Sequence, residues 1–370
     1  MADRLKDAFD ADVVRSIADD LQRAHPAFPR RAFLKDALRG LDRLELLDRG
    51  RHVAAALDRH LPPPPESIRI LVAALGPELA ATEGNGMAPF RYMPHGFYLM
   101  SRGLEQFEAS MAAQAELTKR FTAEFSLRPF IDRDPPAALA WLRRWARDPN
   151  VHVRRLVSEG TRPRLPWAPR LRAFEKDPEP VLELLGLLKD DPEPYVRRSV
   201  ANHLNDIGKT RPALLMEVCR RWSRKAPPAR LGLVRHALRS LVKQGHPEAL
   251  RLLGFGERPR VRVVDVRLPR ELRIGEVLRF SAGLASASAR PQDLLVDLAV
   301  HFVKADGRTR PKVFKLTSLS LAPGGREEVV GKVSFKPMTT RTAYPGRHRL
   351  DLLVNGRPYP LGAVKVMRSD

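Results

Sequence analysis

The feature that most constrains this chain is an internal repeat. Asp148-Pro-Asn-Val-His-Val-Arg-Arg-Leu-Val157 is matched 43 residues later by Asp191-Pro-Glu-Pro-Tyr-Val-Arg-Arg-Ser-Val200. A weaker third copy, Val234-Arg-His-Ala-Leu238, begins 38 residues after Val196. Helix pairs recurring every 40–47 residues or so are the signature of HEAT-like α-solenoids, whose stacked units bury a continuous core and leave a concave wall for an extended ligand. The shared Asp-Pro suits a helix start, with Asp as the cap and Pro in the first turn.

Helical spacing extends to the N-terminal side. Leu5, Phe9, Val13, Val14, Ile17 and Leu21 form one apolar stripe, and Leu38, Leu41, Leu44 and Leu47 another. Pro62–Pro65 is a break, residues 84–98 read as an aromatic-rich loop, and a further helix is expected near 105–127. After about residue 255 the pattern changes to short apolar or alternating runs: 261–266, 277–280, 294–304, 313–321, 329–335, 348–354 and 361–366. Gly or Pro clusters separate them, and Asn355-Gly356 is a two-residue hairpin turn. The expected architecture is an α-solenoid of HEAT-like helical repeats over 1–255, followed by an immunoglobulin-like β-sandwich over 260–370.

Charge narrows the function. The 370 residues carry 65 Lys+Arg against 43 Asp+Glu, a net +22. The excess is not uniform: residues 1–119 sum to −1, residues 120–259 to +12 and residues 260–370 to +11. A field of that size directs the middle and end of the chain toward a polyanion, nucleic acid first. Arginine forks suit phosphate oxygens, although a GC-rich coding bias would also favour arginine over lysine. The N-terminus has no apolar core of a secretory signal, and no apolar run of 18 residues exists, so membrane association is not expected and the cytosol is the expected compartment. The single cysteine, Cys219, excludes an internal disulfide or a cysteine-based zinc site. No HExxH, phosphate-binding loop or nucleophile elbow is present.

Several polar residues fall where chemistry could sit. Arg155 and Glu159 share a helix face, and the 43-residue shift carries that face to Arg198 and Asn202, continuing to Asn205, Asp206 and Lys209. Val200, Leu204 and Ile207 would form the buried side. Glu124 lies on or beside the stripe of Leu117, Phe121 and Phe125, where a carboxylate needs a partner; a structural ion pair with arginine would serve as well as a catalytic role. Trp167 sits in Arg162-Pro-Arg-Leu-Pro-Trp-Ala-Pro-Arg170, a stiff loop that offers an aromatic face between arginines for a base or sugar, or else packs over a helix end.

Taken in order, Leu5-Lys-Asp-Ala-Phe9, Gly96-Phe97, Glu124-Phe125, Val153-Arg-Arg-Leu-Val-Ser-Glu-Gly160, Leu165-Pro-Trp167 and Tyr195-Val-Arg-Arg-Ser-Val-Ala-Asn-His-Leu-Asn-Asp206 resemble the AlkC branch of the HEAT-like repeat alkylpurine DNA glycosylases. The resemblance spans about residues 1–255, and the C-terminal part is similar to the immunoglobulin-like domain found on some members. It implies a monofunctional enzyme, active as a monomer in the bacterial cytoplasm at the nucleoid, that excises N-alkylated bases such as 3-methyladenine and 3-methylcytosine from double-stranded DNA without deep base flipping and without a cofactor or metal. By position it places Glu124, Glu159, Arg155, Trp167 and Asp206 at the active site. Arg154, Arg162, Arg164, Arg198, Asn202, Asn205 and Lys209 are then candidate DNA contacts. In the sandwich, which would act as a clamp on DNA, the candidates are Arg308, Arg310, Lys312, Arg341 and Arg347. A non-catalytic helical-repeat scaffold that binds DNA is the alternative; it needs the cations but not the carboxylates.

Overall fold

The computed structural model describes residues 5–338 and 342–368. Helices occupy the chain up to Leu252 and strands begin at Val261. The chain divides into two compact units, but not at that change of secondary structure. One unit runs to Thr210 and includes Lys225–Ala237; the other joins Arg211–Arg224 to Leu238 and everything beyond.

In the first unit the repeat is realised by helices Val151–Gly160, Pro194–Gly208 and Pro228–Ala237, which pack in succession. Helices Pro135–Trp145 and Glu179–Leu188 form a second layer against them. Val153, Leu156 and Val157 of one copy and Val196, Val200 and Leu204 of the next are fully buried, as periodicity requires. A separate apolar cluster, with Phe9, Val14, Ile17, Leu21, Phe33 and Leu57 at its centre, holds the N-terminal helices together.

The Asp-Pro signature does something other than cap. The first repeated helix is capped by Asn150, whose side chain accepts from His152 N, and the second begins at Pro194. Asp148 and Asp191 instead accept from the backbone N–H two residues on, Asn150 N and Glu193 N, fixing the turn before each helix. Asp191 also receives Arg154 from the preceding copy at 2.6 Å, so the shared spacing stitches one repeat to the next.

Two expected elements differ. The helix expected over 105–127 stops at Thr118. There Arg120 turns its guanidinium onto Gly76 O and Glu116, and Leu79 N binds Lys119 O, so the chain leaves the helix axis. Glu124 therefore sits in the turn before helix Arg128–Arg133, not on a helix stripe. The aromatic segment 84–98 is a loop only in its first part: Pro94 occupies the first turn of a helix, Met93–Arg102, that buries Tyr98 and Leu99. Proline there marks a helix start, not a break.

Among its described residues the second unit contains helices Pro212–Ser223, Arg239–Lys243 and Pro247–Leu252 and eight strands: β1 (Val261–Arg267), β2 (Glu271–Arg273), β3 (Val277–Ser286), β4 (Gln292–Val303), β5 (Thr309–Leu321), β6 (Arg326–Ser334), β7 (Gly346–Val354) and β8 (Arg357–Met367). They form sheets β1-β3-β6 and β2-β8-β7-β4-β5, antiparallel except for β2 with β8. Leu278, Phe280, Leu298, Val300, Phe302, Phe335 and Leu352 fill the space between the sheets. Short β2 escaped the sequence pattern because three residues carry no alternation. The β7–β8 turn is Asn355-Gly356, with φ of 47° and 75°, as the dipeptide predicts.

Candidate active site

Five sequence-distant stretches, at Leu47, 79–97, 121–125, 152–167 and Tyr195, meet at a cleft of about 420 Å³ in the first unit. One wall is aromatic, with Phe90, Phe97, Phe121 and Phe125; Phe90 and Phe121 meet edge to face at 5.3 Å. The opposite side is polar, with His152, Glu159, Arg162 and Tyr195, and Trp167 stands at the rim, 65% exposed.

Glu124 is held by its own turn and by the repeat. Thr122 Oγ1 donates to its Oε2 at 3.0 Å and accepts from Glu124 N at 3.3 Å, closing a local loop. Arg155 Nη1 donates to the same Oε2 at 2.6 Å, and the carboxylate side chain is 14% exposed. Among the described residues, Oε1 carries no partner.

From Arg155 the charges alternate. Arg155 lies 3.6 Å from Glu159; Arg162 donates to Glu159 Oε1 at 2.5 Å, and Ser199 Oγ to Oε2 at 2.6 Å. Arg162 Nε then reaches Asp206 Oδ2 at 2.8 Å, and Lys209 reaches Oδ1 at 2.8 Å. Burial alone would raise the Glu159 pKa, but Arg155, Arg162 and the Ser199 hydroxyl outweigh it and hold the carboxyl below its ordinary range. For half-buried Arg155, desolvation is outweighed by Glu124 and Glu159, which drive it above its ordinary value, so it stays charged. Its guanidinium also lies 5.5 Å from the Tyr195 ring centroid, and Tyr195 packs edge-on to His152, its repeat equivalent, at 5.7 Å.

The site residues expected from sequence are thus brought together, but in different ranks. Glu124, Glu159 and Trp167 line the cleft. Arg155 bridges the two glutamates. Asp206, expected to line the site, is instead 1% exposed behind Arg162 and does not face the cleft. The reason is helical phase: Asp206 sits among buried Leu204, Asn205 and Ile207 near the C-terminal end of its helix, where Arg162 pairs with it.

The candidate DNA contacts also separate. Arg154 is engaged with Asp191 and with the carbonyls of Asp148 and Pro149; Arg162 is buried between two carboxylates. Arg164 pairs with Glu175. Asn205 is buried and donates to Ala237 O, and Asn202 binds the His236 ring. Arg198 and Lys209 are exposed, Arg198 reaching only Glu83 at 3.5 Å. In the second unit Arg308, Arg310, Lys312 and Arg347 are exposed, Arg308 beside Asp306 and Lys312 over the Phe314 ring. Arg341 lies outside the described residues.

Sequence reasoning missed Thr122, Ser199, Tyr195 and above all Arg128. The 43-residue offset pairs Tyr195 with His152 and could have flagged both. Arg128, 2% exposed, has no periodic signal because it opens a helix of six residues.

No helix among the described residues is long and apolar enough to cross a membrane, and none of them cluster as a metal-binding group.

Fold and site together define a helical-repeat protein with an appended Ig-like sandwich and an acid–base cluster opening on an aromatic cleft. The family model of the DNA alkylation repair enzyme matches residues 120–240, the segment that holds Glu124, Arg155, Glu159, Trp167 and Asp206. Residues 262–368 match the C-terminal Ig-like domain of the uncharacterised protein YhaZ. The YhaZ protein of Bacillus subtilis is 35% identical over 96% of this chain and 97% of its own. The Pseudomonas fluorescens alkylpurine DNA glycosylase AlkC, solved bound to DNA containing an abasic site analog, is 37% identical, with a TM-score of 0.91 over the full length of both chains. The chain belongs to the DNA alkylation repair enzymes of the AlkC type.

Proposed function

We propose that this protein is a monofunctional DNA glycosylase that excises cationic N-alkylated bases, such as 3-methyladenine and 3-methylcytosine, from duplex DNA. The observation that carries the reading is the pair Glu124 and Trp167 on one cleft, with one oxygen of Glu124 unpartnered among the described residues. The solved relative with DNA containing an abasic site analog supports the partner and the reaction class.

An N3-alkylated base already carries the positive charge that makes it a good leaving group, so no general acid is required. Its departure leaves an oxocarbenium-like sugar. The Glu124 carboxylate, aimed by Arg155 and Thr122, stabilises that charge and orients a water with its free oxygen. Trp167 stacks on the exposed nucleotide at the rim. The exposed rim and open cleft favour recognition without extruding the base into a deep pocket, unlike most base-excision chemistry. Among the described residues no lysine lines the cleft, so lyase chemistry is not expected.

Glu159, Arg162 and Asp206 serve in this reading as the rigid base of the site. Phosphates fall to exposed cations: Arg198 and Lys209 in the first unit, and Arg308, Arg310, Lys312 and Arg347 in the second, which would grip the duplex as a clamp. A scaffold protein would have no use for a half-buried carboxylate with an oxygen left open on the cleft. The test is base release from methylated duplex DNA by the purified protein, followed by chromatography of the freed bases. Release of 3-methyladenine or 3-methylcytosine is expected, and release of neither would remove the proposal.

A further inference from the structure

We infer that Arg128 is a positioning residue that fixes Trp167 relative to Glu124; the role at the reaction rests on the glycosylase reading above. Arg128 is 2% exposed, and among the described residues its guanidinium forms no ion pair. Burying an arginine without a carboxylate is costly, so its donors must be satisfied otherwise. They are. Nη1 donates to Gly160 O at 3.1 Å and to Arg162 O at 2.9 Å, and Nε donates to Pro169 O at 2.9 Å, with Nη2 on the same carbonyl.

These carbonyls lie at the two ends of one loop. Gly160 closes helix Val151–Gly160; Pro169 follows the tryptophan by two residues. A single planar fork therefore clamps the loop shut on either side of Trp167. The loop needs a clamp, because Trp167 has φ of 65°, a left-handed conformation that a bulky residue holds only where its surroundings impose it. Its side chain is too exposed to supply that constraint. A cation at the C-terminal end of a helix is also well placed against the carbonyl dipoles.

Arg128 is four residues from Glu124, in the same turn and helix start. The intervening Leu127 packs onto Gly160 so closely that a Cβ there would fall 2.7 Å from Leu127 Cδ2. One short segment, 124–128, thus carries the carboxylate, seats the end of the helix that bears Glu159, and holds the loop that bears Trp167. A neutral amide has two donors on a single nitrogen; the arginine fork, with donors on three nitrogens, reaches three carbonyls.

The experiment uses the full-length protein labelled with 5-fluorotryptophan. Its four tryptophans are Trp141, Trp145, Trp167 and Trp222. Fluorine NMR of Trp167→Phe assigns the Trp167 signal. In Arg128→Gln that signal should broaden or split while the other three stay in place, and Arg128→Lys should fall between. This readout needs no substrate, so it decides the positioning role even if the wild type releases no base. In single-turnover excision, Arg128→Gln and Trp167→Ala should each cost about tenfold and the double variant also about tenfold, because the two act as one unit. A sharp, unmoved Trp167 signal in Arg128→Gln, or a double variant slowed about a hundredfold, would overturn the inference. So would collapse of all four signals in both Arg128 variants, which would make the role a global one.

Discussion

Arg155 Nη1 meets Oε2 of Glu124 at 2.6 Å, while Nη2 of the same guanidinium lies 3.6 Å from Glu159. One arginine thus holds two carboxylates of unlike status. Glu159 has both oxygens occupied and 8% of its side chain exposed; Glu124 keeps one oxygen open. Removing the first charge should therefore act on the fold, and removing the second on the reaction.

Glu159→Gln and Asp206→Asn should act on stability first. Each leaves the buried Arg162 without one of the two carboxylates that answer its charge, and removing one partner of a buried pair costs about 3–5 kcal/mol. Chemical denaturation should register that loss at neutral pH. For Glu159 the folded pKa is depressed, so its contribution is present above its ordinary value near 4.5 and fades as pH falls through the lowered one. The gap between wild type and Glu159→Gln should therefore narrow in acid.

Two buried histidines give a pH response of opposite origin. Burial lowers His203 to about 4 and His95 to about 3, so both are neutral in the folded protein. Unfolded, they bind protons from about pH 6.5 downward. Stability should fall between pH 6.5 and 4 by about 1.4 kcal/mol per unit for each group. Replacing His203 by Gln should remove about half of that slope in pH-dependent denaturation curves; an unchanged slope would show that His203 charges without unfolding.

Trp167 separates function from stability. It is exposed and sits at positive φ, where glycine is at ease. Trp167→Gly should leave the melting temperature unchanged or higher, yet weaken binding to a duplex bearing an abasic analogue by about 1–3 kcal/mol, the worth of one stacked base. A fall in both would mean the indole is a packing residue.

Much of this was legible in the sequence, and the exceptions have physical causes. The repeat at 43 residues located the stacked helices, because burial of Val153, Val157, Val196 and Val200 imposes a period that any copy must share. Seven of the eight strands were legible from alternation, and the Asn355-Gly356 turn from its need for two positive φ angles. Glu124 was found as an anomaly on an apolar stripe, but its helix does not exist: a stripe of Leu117, Phe121 and Phe125 is equally produced by a turn that folds both phenylalanines onto the cleft. Arg128 left no trace, since its partners are backbone carbonyls and carry no residue code. Nor does one-dimensional charge distinguish Arg154 and Arg162, engaged inside, from Arg198, open to solvent.

The cations of the sandwich are best tested by substitution. Cutting the chain at 259 would strip segments 211–224 and 238–252 of the unit they belong to. Arg310→Gln with Lys312→Gln should lower duplex affinity at all sequences and reduce the slope of log K against log salt by about 2, roughly one for each phosphate the variant leaves unneutralised. An unchanged slope would mean that this charged edge does not touch DNA.

The most direct test of the account is single-turnover release of methylated base from duplex DNA by the wild type and by Glu124→Gln. Glutamine keeps the size and an oxygen acceptor for Arg155 but loses the charge facing the sugar. The account predicts excision slowed by about 10²–10³, the scale of one electrostatic interaction made in the transition state, with duplex affinity and melting temperature near those of the wild type. Base release by Glu124→Gln at the wild-type rate, in a folded protein that binds DNA normally, would contradict it.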